Sequence, residues 1–259
     1  MINLEGRIAL ITGAGRGIGE AIARTFAAAG ARPILADRNI DSARQVAAQL
    51  GTAAVELDIS QEAMVREVVA DVETRHGPIH TLVNCAGVLQ NTDPPETLTM
   101  KTWDRIVSVH QRGSYMMSAE VGSRMAKRRH GNIVNIVSVA GMQSAPLHAY
   151  APAKAALISL TECLAAEWGP AGVRVNAVAP GFVSTPGVER GFASGMLDPR
   201  LFIETSALRR LVKPEEIAAG VLFLASDMAS AITGVTLPID AGFLVAVPWT
   251  AYGGTRTPP

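Results

Sequence analysis

Cysteine is scarce: Cys85 and Cys163 are the only two in 259 residues. Without CxxC or ligand spacing they exclude a disulfide scaffold and point to no redox pair or metal centre, so both are expected to be buried free thiols. Aromatics reach only 5%, and net charge is absent, with 23 Lys+Arg against 23 Asp+Glu. That balance excludes a nucleic-acid polyelectrolyte. No run approaches the 18 or so apolar residues of a membrane helix, the longest, such as Val221–Ala225, being core-sized. Residues Met1 to Arg7 carry neither the basic nor the apolar region of a signal peptide, so a cytoplasmic protein with neither nucleic acid nor membrane as partner is expected. Hydrophobic residues at 48% against 18% charged exclude disorder. Present in excess are 24 glycines and 15 prolines, the mark of a chain with many defined turns.

Short aliphatic runs at Arg7–Thr12, Arg32–Ala36, Ala53–Leu57, Ile79–Asn84, Asn132–Val137, Val173–Val178 and Val235–Ile239 read as strands. Helical periodicity fills Gly17–Ala29, Asp41–Leu50, Gln61–Arg75, Lys101–Arg129, Ala149–Trp168 and Pro214–Ala225. Strands apolar on both faces, alternating with helices, predict a Rossmann-like, doubly wound parallel sheet of about seven strands. Residues 1–243 form one dinucleotide-binding catalytic domain in this reading, and 244–259 a C-terminal extension. Pro180 to Lys213 reads as one long irregular segment, dotted with Gly181, Pro186, Gly187, Gly191, Gly195 and Pro199, and is expected to be the substrate loop over about 181–213. The cations Arg124, Lys127, Arg128 and Arg129 read as the solvated end of a long helix.

The turn Thr12-Gly13-Ala14-Gly15-Arg16-Gly17-Ile18-Gly19 follows the first strand and opens the first helix. Glycines there let backbone approach a pyrophosphate at a helix N-terminus. Asp37, at the end of the second strand, can accept both hydroxyls of an adenine ribose and would repel a 2′-phosphate, which favours NAD. Arg16 and Arg38 could each reach a 2′-phosphate, which leaves NADP possible.

The Thr-Gly-x-x-x-Gly-x-Gly spacing resembles the short-chain dehydrogenase/reductase family. So do Asn84-Cys-Ala-Gly87 after the fourth strand, Ser138 closing the fifth, Tyr150-Ala-Pro-Ala-Lys154 opening the next helix, and Pro180-Gly-Phe-Val-Ser-Thr185 after the sixth. The motifs run in the family's order from Arg7 to Gly242. The resemblance implies that Tyr150 is the general acid/base, Ser138 positions the substrate oxygen, and Lys154 holds the nicotinamide ribose. An ammonium one helical turn from Tyr150 is also expected to lower the phenol's pKa, which is about 10 when free. By the same resemblance Asp58 and Ile59 flank the adenine, Asn84, Ala86 and Gly87 line the adenine ribose and the middle of the cofactor, Val183 and Thr185 meet its carboxamide and phosphate, and Pro180 and Gly181 lie against it.

One position departs from the family. Where it carries an asparagine, this chain reads Val109-His110-Gln111-Arg112-Gly113. An imidazole titrates near neutrality when unperturbed, so His110 is a candidate proton relay, a tolerated replacement, or the mark of an impaired enzyme. Substrate-facing candidates are Gln143, Ser144, Leu147 and His148 before the tyrosine, and Phe182, Val188, Arg190, Phe192 and Met196 on the long segment. Their mixed polarity points to a sugar, polyol or other small secondary alcohol, oxidised with NAD. The alternatives are an NADP-dependent ketone reductase and a dinucleotide-binding regulatory protein that has lost catalysis. A homotetramer is the expectation by resemblance, and the tail with Pro248, Trp249 and Tyr252 is expected to pack at a subunit interface.

Overall fold

The computed structural model describes residues 2–193, 195 and 198–256. Seven strands, β1 (Ile8–Thr12), β2 (Arg32–Asp37), β3 (Ala53–Glu56), β4 (Ile79–Asn84), β5 (Gly131–Ile136), β6 (Val173–Pro180) and β7 (Thr236–Ile239), form one sheet in the order β3-β2-β1-β4-β5-β6-β7, every pair parallel. A parallel sheet is buried on both faces, and β1 and β5 are accordingly buried along their whole length. Helices α1 (Gly17–Ala28), α2 (Ile40–Leu50) and α9 (Pro214–Ala225) cover one face through Ile22, Phe26, Val46 and Leu224. The other face is covered by α3 (Glu62–His76), α5 (Ser114–Arg128) and α6 (Tyr150–Trp168), through Val69, Met117, Val121 and Leu164.

Chain order reverses between β1 and β4, so their carboxyl ends part there and leave the crevice where open α/β sheets bind ligands. Thr12 sets its width. Its Oγ1 accepts hydrogen bonds from the N–H groups of Cys85 and Ala86, at 3.0 and 3.1 Å, and donates to Val83 O at 3.3 Å.

Several expectations need correction. Lys101–Arg129 is not one uniform helix: α4 (Met100–Val107) passes through a π-helical turn, Ser108–Gly113, into α5. A Cβ on Gly113 would sit 2.9 Å from the Ile59 side chain, so the wide turn relies on glycine at its tightest contact. The segment after β6 is not irregular throughout, since α7 (Pro186–Ala193) and α8 (Pro199–Glu204) each begin on a proline, whose fixed φ suits the first helical turn. Nor is Cys163 buried; it lies on the exposed side of α6, while Cys85 is half-buried. Arg124 and Arg128 are more than a solvated helix end, since both reach Glu73 of α3, at 3.3 and 2.9 Å. Met196 lies outside the described residues.

The extension begins with α10 (Phe243–Ala246), capped by the Asp240 carboxylate, which accepts from Gly242 N and Leu244 N at 2.9 Å each. A 3-10 turn over Val247–Tyr252 follows, and Arg209 donates to Thr255 O at 2.6 Å. Val245, Trp249 and Tyr252 stay exposed. No helix of the described residues is long and apolar enough to cross a membrane.

Candidate active site

The glycine turn fits a dinucleotide because its backbone has no room for side chains. Gly13 has φ +67°, and a Cβ on it would lie 2.7 Å from Ala86 Cα; one on Gly19 would lie 2.1 Å from Gly13 O. Asp37 leaves β2 beside this turn. Its carboxylate accepts from Gly15 N at 3.0 Å and Asn39 N at 2.9 Å, so the negative charge is pinned next to the cradle. Arg16 and Arg38 are exposed at its margin, and Ile18 is half-buried at the start of α1. Burial works to raise the Asp58 carboxyl, but hydrogen bonds from Ser60 and the charge of Arg38 outweigh it and hold the group below its ordinary value.

Ile59 is buried against Gly113, and Gly17 faces Thr185 across the crevice. Gly181 approaches the turn after β7 so closely that a Cβ would meet Asp240 Cα at 2.7 Å. Pro180 ends β6 opposite Ile239, and Val183 bridges to Val212, closing the base of the segment that carries α7 and α8. A cradle that only backbone fills, with a fixed carboxylate beside it, suits the pyrophosphate and adenine ribose of a nicotinamide dinucleotide.

Asn84 serves the interior. Its Nδ2 donates to Ser118 Oγ at 2.9 Å and Asn135 Oδ1 at 2.8 Å, and Asn135 in turn donates to Thr161 Oγ1 at 2.9 Å. This buried thread joins β4, β5, α5 and α6, so α6 is hydrogen-bonded to the sheet as well as packed on it.

The first turn of α6 brings the expected trio together. Positions 154, 157, 161 and 164 lie on the buried face of α6, so Lys154 shares a stripe with Leu157, Thr161 and Leu164 and is 5% exposed. Its Nζ donates to Ile136 O at 2.6 Å and sits 5.5 Å from the centre of the Tyr150 ring. Ser138, just beyond β5, accepts from Ala140 N at 3.1 Å, and its hydroxyl acts to lower the Tyr150 phenol.

The expected lowering of the phenol by Lys154 is not what this site shows. Burial pushes Tyr150 up to about 12, with the Ser138 hydrogen bond opposing. The same desolvation brings Lys154 down to about 8, countered by the nearby Cys85 thiol, which is itself enclosed and pushed up to about 12.

His110 also departs from expectation. Its ring is 3% exposed, and burial together with the Lys154 charge brings it down to about 3, so it is neutral at every working pH rather than titrating near 7. Nε2 lies 2.8 Å from Val88 O and 3.1 Å from Val88 N; the neutral ring makes one of these bonds, and donation to the carbonyl is the shorter. Its Nδ1 is buried without a partner, as is Nε2 of Gln90, each at a cost of about 1–3 kcal/mol. Gly87 earns its place here too, since a Cβ would meet His110 Cε1 at 2.7 Å.

Before α6, Gln143, Leu147 and His148 are half-buried and Ser144 is exposed. On the other side Phe182, Val188 and Phe192 are half-buried, while Arg190 is exposed. The Phe182 ring meets Phe202 at a tilt, with centroids 4.1 Å apart, and Phe243 edge-on at 5.0 Å, which joins α8 to α10. Gln90 did not stand out in the sequence, because a side chain bonded to backbone sixty residues away leaves no local pattern; Thr12 stood at the head of the glycine motif, but its bridge between two strand ends was not visible there.

The model of the enoyl-(acyl carrier protein) reductase family matches residues 13–244. The chain is 37% identical to D-threitol dehydrogenase of Mycolicibacterium smegmatis, over 93% of this chain and 94% of that one. To the NAD-dependent glycerol dehydrogenase of Listeria innocua it is 36% identical, over 94% and 96%. A solved structure described as ribose-5-phosphate isomerase from Brucella melitensis 16M superimposes with a TM-score of 0.97 at 52% identity, covering 99% of both chains. The family match over nearly the whole chain agrees with the parallel sheet, the glycine cradle and the Ser138, Tyr150 and Lys154 grouping: the chain belongs to the short-chain dehydrogenase/reductase family.

Proposed function

We propose that the protein is an NAD-dependent dehydrogenase that oxidises a secondary hydroxyl of a polyol or sugar. The observation that carries this reading is the Tyr150 ring, 5.5 Å from the buried ammonium of Lys154 and with Ser138 acting to lower its phenol, at the carboxyl edge beside a backbone cradle for a dinucleotide. Tyr150 takes the proton of the substrate hydroxyl. Ser138 Oγ holds the substrate oxygen, and Lys154 supplies positive charge beside the phenolate that proton transfer requires. When bound, the oxidised nicotinamide supplies the hydride acceptor and a further positive charge. The named threitol and glycerol relatives both act on polyols, which supports the substrate class.

Asp37 supports NAD over NADP, because its pinned carboxylate would face a 2′-phosphate with like charge. Residues 1–243 act as the catalytic unit in this reading, with 244–259 an extension that meets another subunit of a homotetramer.

The test is a screen of polyols, sugars and simple secondary alcohols with both nicotinamides, following reduced-nicotinamide absorbance. Turnover with a polyol and NAD is expected, and Asp37→Ser should raise the NADP-to-NAD ratio of kcat/KM about tenfold or more, by removing that repulsion. NAD binding without turnover of any substrate points instead to a regulatory protein. A second reading comes from the structure described as an isomerase. Interconversion of ribose 5-phosphate and its ketose has no net redox change, so conversion without added nicotinamide, in the Tyr150→Phe variant as in the wild type, would replace the dehydrogenase reading.

A further inference from the structure

The first turn of α6 carries the proton-transferring tyrosine, and its backbone donors depend on a distant loop. Ala151 N finds Leu147 O at 2.8 Å, and Pro152 has no N–H to satisfy. The remaining donors, Ala149 N and Tyr150 N, both go to Gln90 Oε1, at 3.1 and 2.8 Å. No side chain of the helix's own N-cap serves them. Gln90 therefore does for α6 what a local Ser or Asp does for other helices, from sixty residues away.

Two residues earlier in the same loop, Val88 O holds His110 Nε2 at 2.8 Å, and the His110 ring meets the Tyr150 ring edge-on, with centroids 4.9 Å apart. The π-helical turn 108–113 carries His110 on its buried side, and side-chain-free Gly87 makes room for the ring. One loop thus grips Tyr150 at two points, its backbone through Gln90 and its ring through His110. Each grip leaves a polar atom buried without a partner, Gln90 Nε2 and His110 Nδ1.

We propose that Gln90 and His110 are positioning residues that hold Tyr150 in its proton-transfer geometry as a two-point brace from the loop after β4, and that His110 is a buttress and carries no proton. The titratable groups facing His110 are Tyr150 and Lys154 of α6, and neither needs the imidazole to change charge. The brace rests on the dehydrogenase reading for its catalytic consequence but not for its structural one.

Three variants test it: Gln90→Met, which keeps the shape and removes the cap; Gln90→Glu, which keeps an oxygen facing the helix N-terminus; and His110→Phe, which keeps the edge-on ring and removes any proton carrier. Amide hydrogen exchange of the segment spanning 148–152 needs no substrate. Gln90→Met should exchange there at least tenfold faster than wild type, with the rest of the chain unchanged, and Gln90→Glu should restore protection. In turnover, Gln90→Met should lower kcat at least tenfold with KM for NAD within twofold, and Gln90→Glu should recover most of the loss.

His110→Phe should keep the wild-type shape of the kcat against pH profile. Unchanged exchange in Gln90→Met, or a Glu variant no better than Met, would overturn the cap. A pH limb lost in His110→Phe would overturn the buttress in favour of a relay. If the exchange results appear as expected while the wild type turns over no alcohol, the brace stands and the dehydrogenase reading falls.

Discussion

The two sides of the crevice are built on opposite terms. On the side of β1 and β2, atoms are packed so closely that glycine is obligatory, and even the one carboxylate is tied by two backbone N–H groups. On the other side, α7, α8 and α10 are joined by tilted and edge-on phenylalanine contacts above the bridge from Val183 to Val212, and leave Leu201, Leu208, Val245, Trp249 and Tyr252 exposed. The first side is shaped by backbone, which a dinucleotide of fixed chemistry can meet. The second is shaped by side chains on short helices, where variation in substrate is accommodated most cheaply. This is why the reaction class can be read with more detail than the substrate.

The sharpest way to break the comparison is at the residue where the two sides meet. Tyr150→Phe should lower turnover about 10²–10⁴-fold, with dinucleotide affinity by fluorescence titration and the thermal midpoint close to wild type. A large fall in affinity would show that Tyr150 belongs to the cofactor side. Next in size is Gly19→Ala, whose new Cβ would lie 2.1 Å from Gly13 O. A loss of about 1–3 kcal/mol of stability in urea unfolding, and weakened NAD binding, are expected. The matching change across the crevice, Gly195→Ala, meets nothing within 4 Å and carries only the strain of its positive φ, so NAD binding should be unaffected.

A smaller effect is expected in pH dependence. Ser138 opposes the burial that raises Tyr150, so Ser138→Ala should move the limb of polyol oxidation that reports Tyr150 deprotonation to higher pH. A limb that stays in place would mean that burial alone sets the phenol. The least effect on stability should come from Trp249→Ser, within about 0.5 kcal/mol for an exposed side chain. Sedimentation then decides whether the tail is an interface: dissociation of the wild-type assembly supports it, and an unchanged mass argues against it.

The cofactor side was legible because its signals are local. Glycines at fixed offsets between a strand and a helix, and an acid at the end of the next strand, translate directly into a cradle and a pinned carboxylate. The trio was legible by order along the chain, although its ionisation was not. The charge of Lys154 was expected to govern Tyr150, whereas desolvation governs both, because the helix stripe that brings them together also buries them. The π-helical turn escaped notice because its residues fit an ordinary helix pattern, and only the approach to Ile59 makes the wider turn useful. Cys163 read as buried because α6 is rich in small apolar residues on several sides, so periodicity does not single out its inner face. Pro186 and Pro199 were read as loop punctuation when each is the first residue of a helix.

The thread from Asn84 through Asn135 to Thr161 has a bearing on how this scaffold can change. Sliding or rotating α6 to suit a larger substrate would break the bond from Asn135 to Thr161 and leave the Asn135 amide unpaired in the interior, so the helix cannot be used as an adjustable wall. Laboratory evolution toward new alcohols should therefore gather its accepted substitutions between residues 181 and 213 and in the turn before Tyr150, and leave the helix in register.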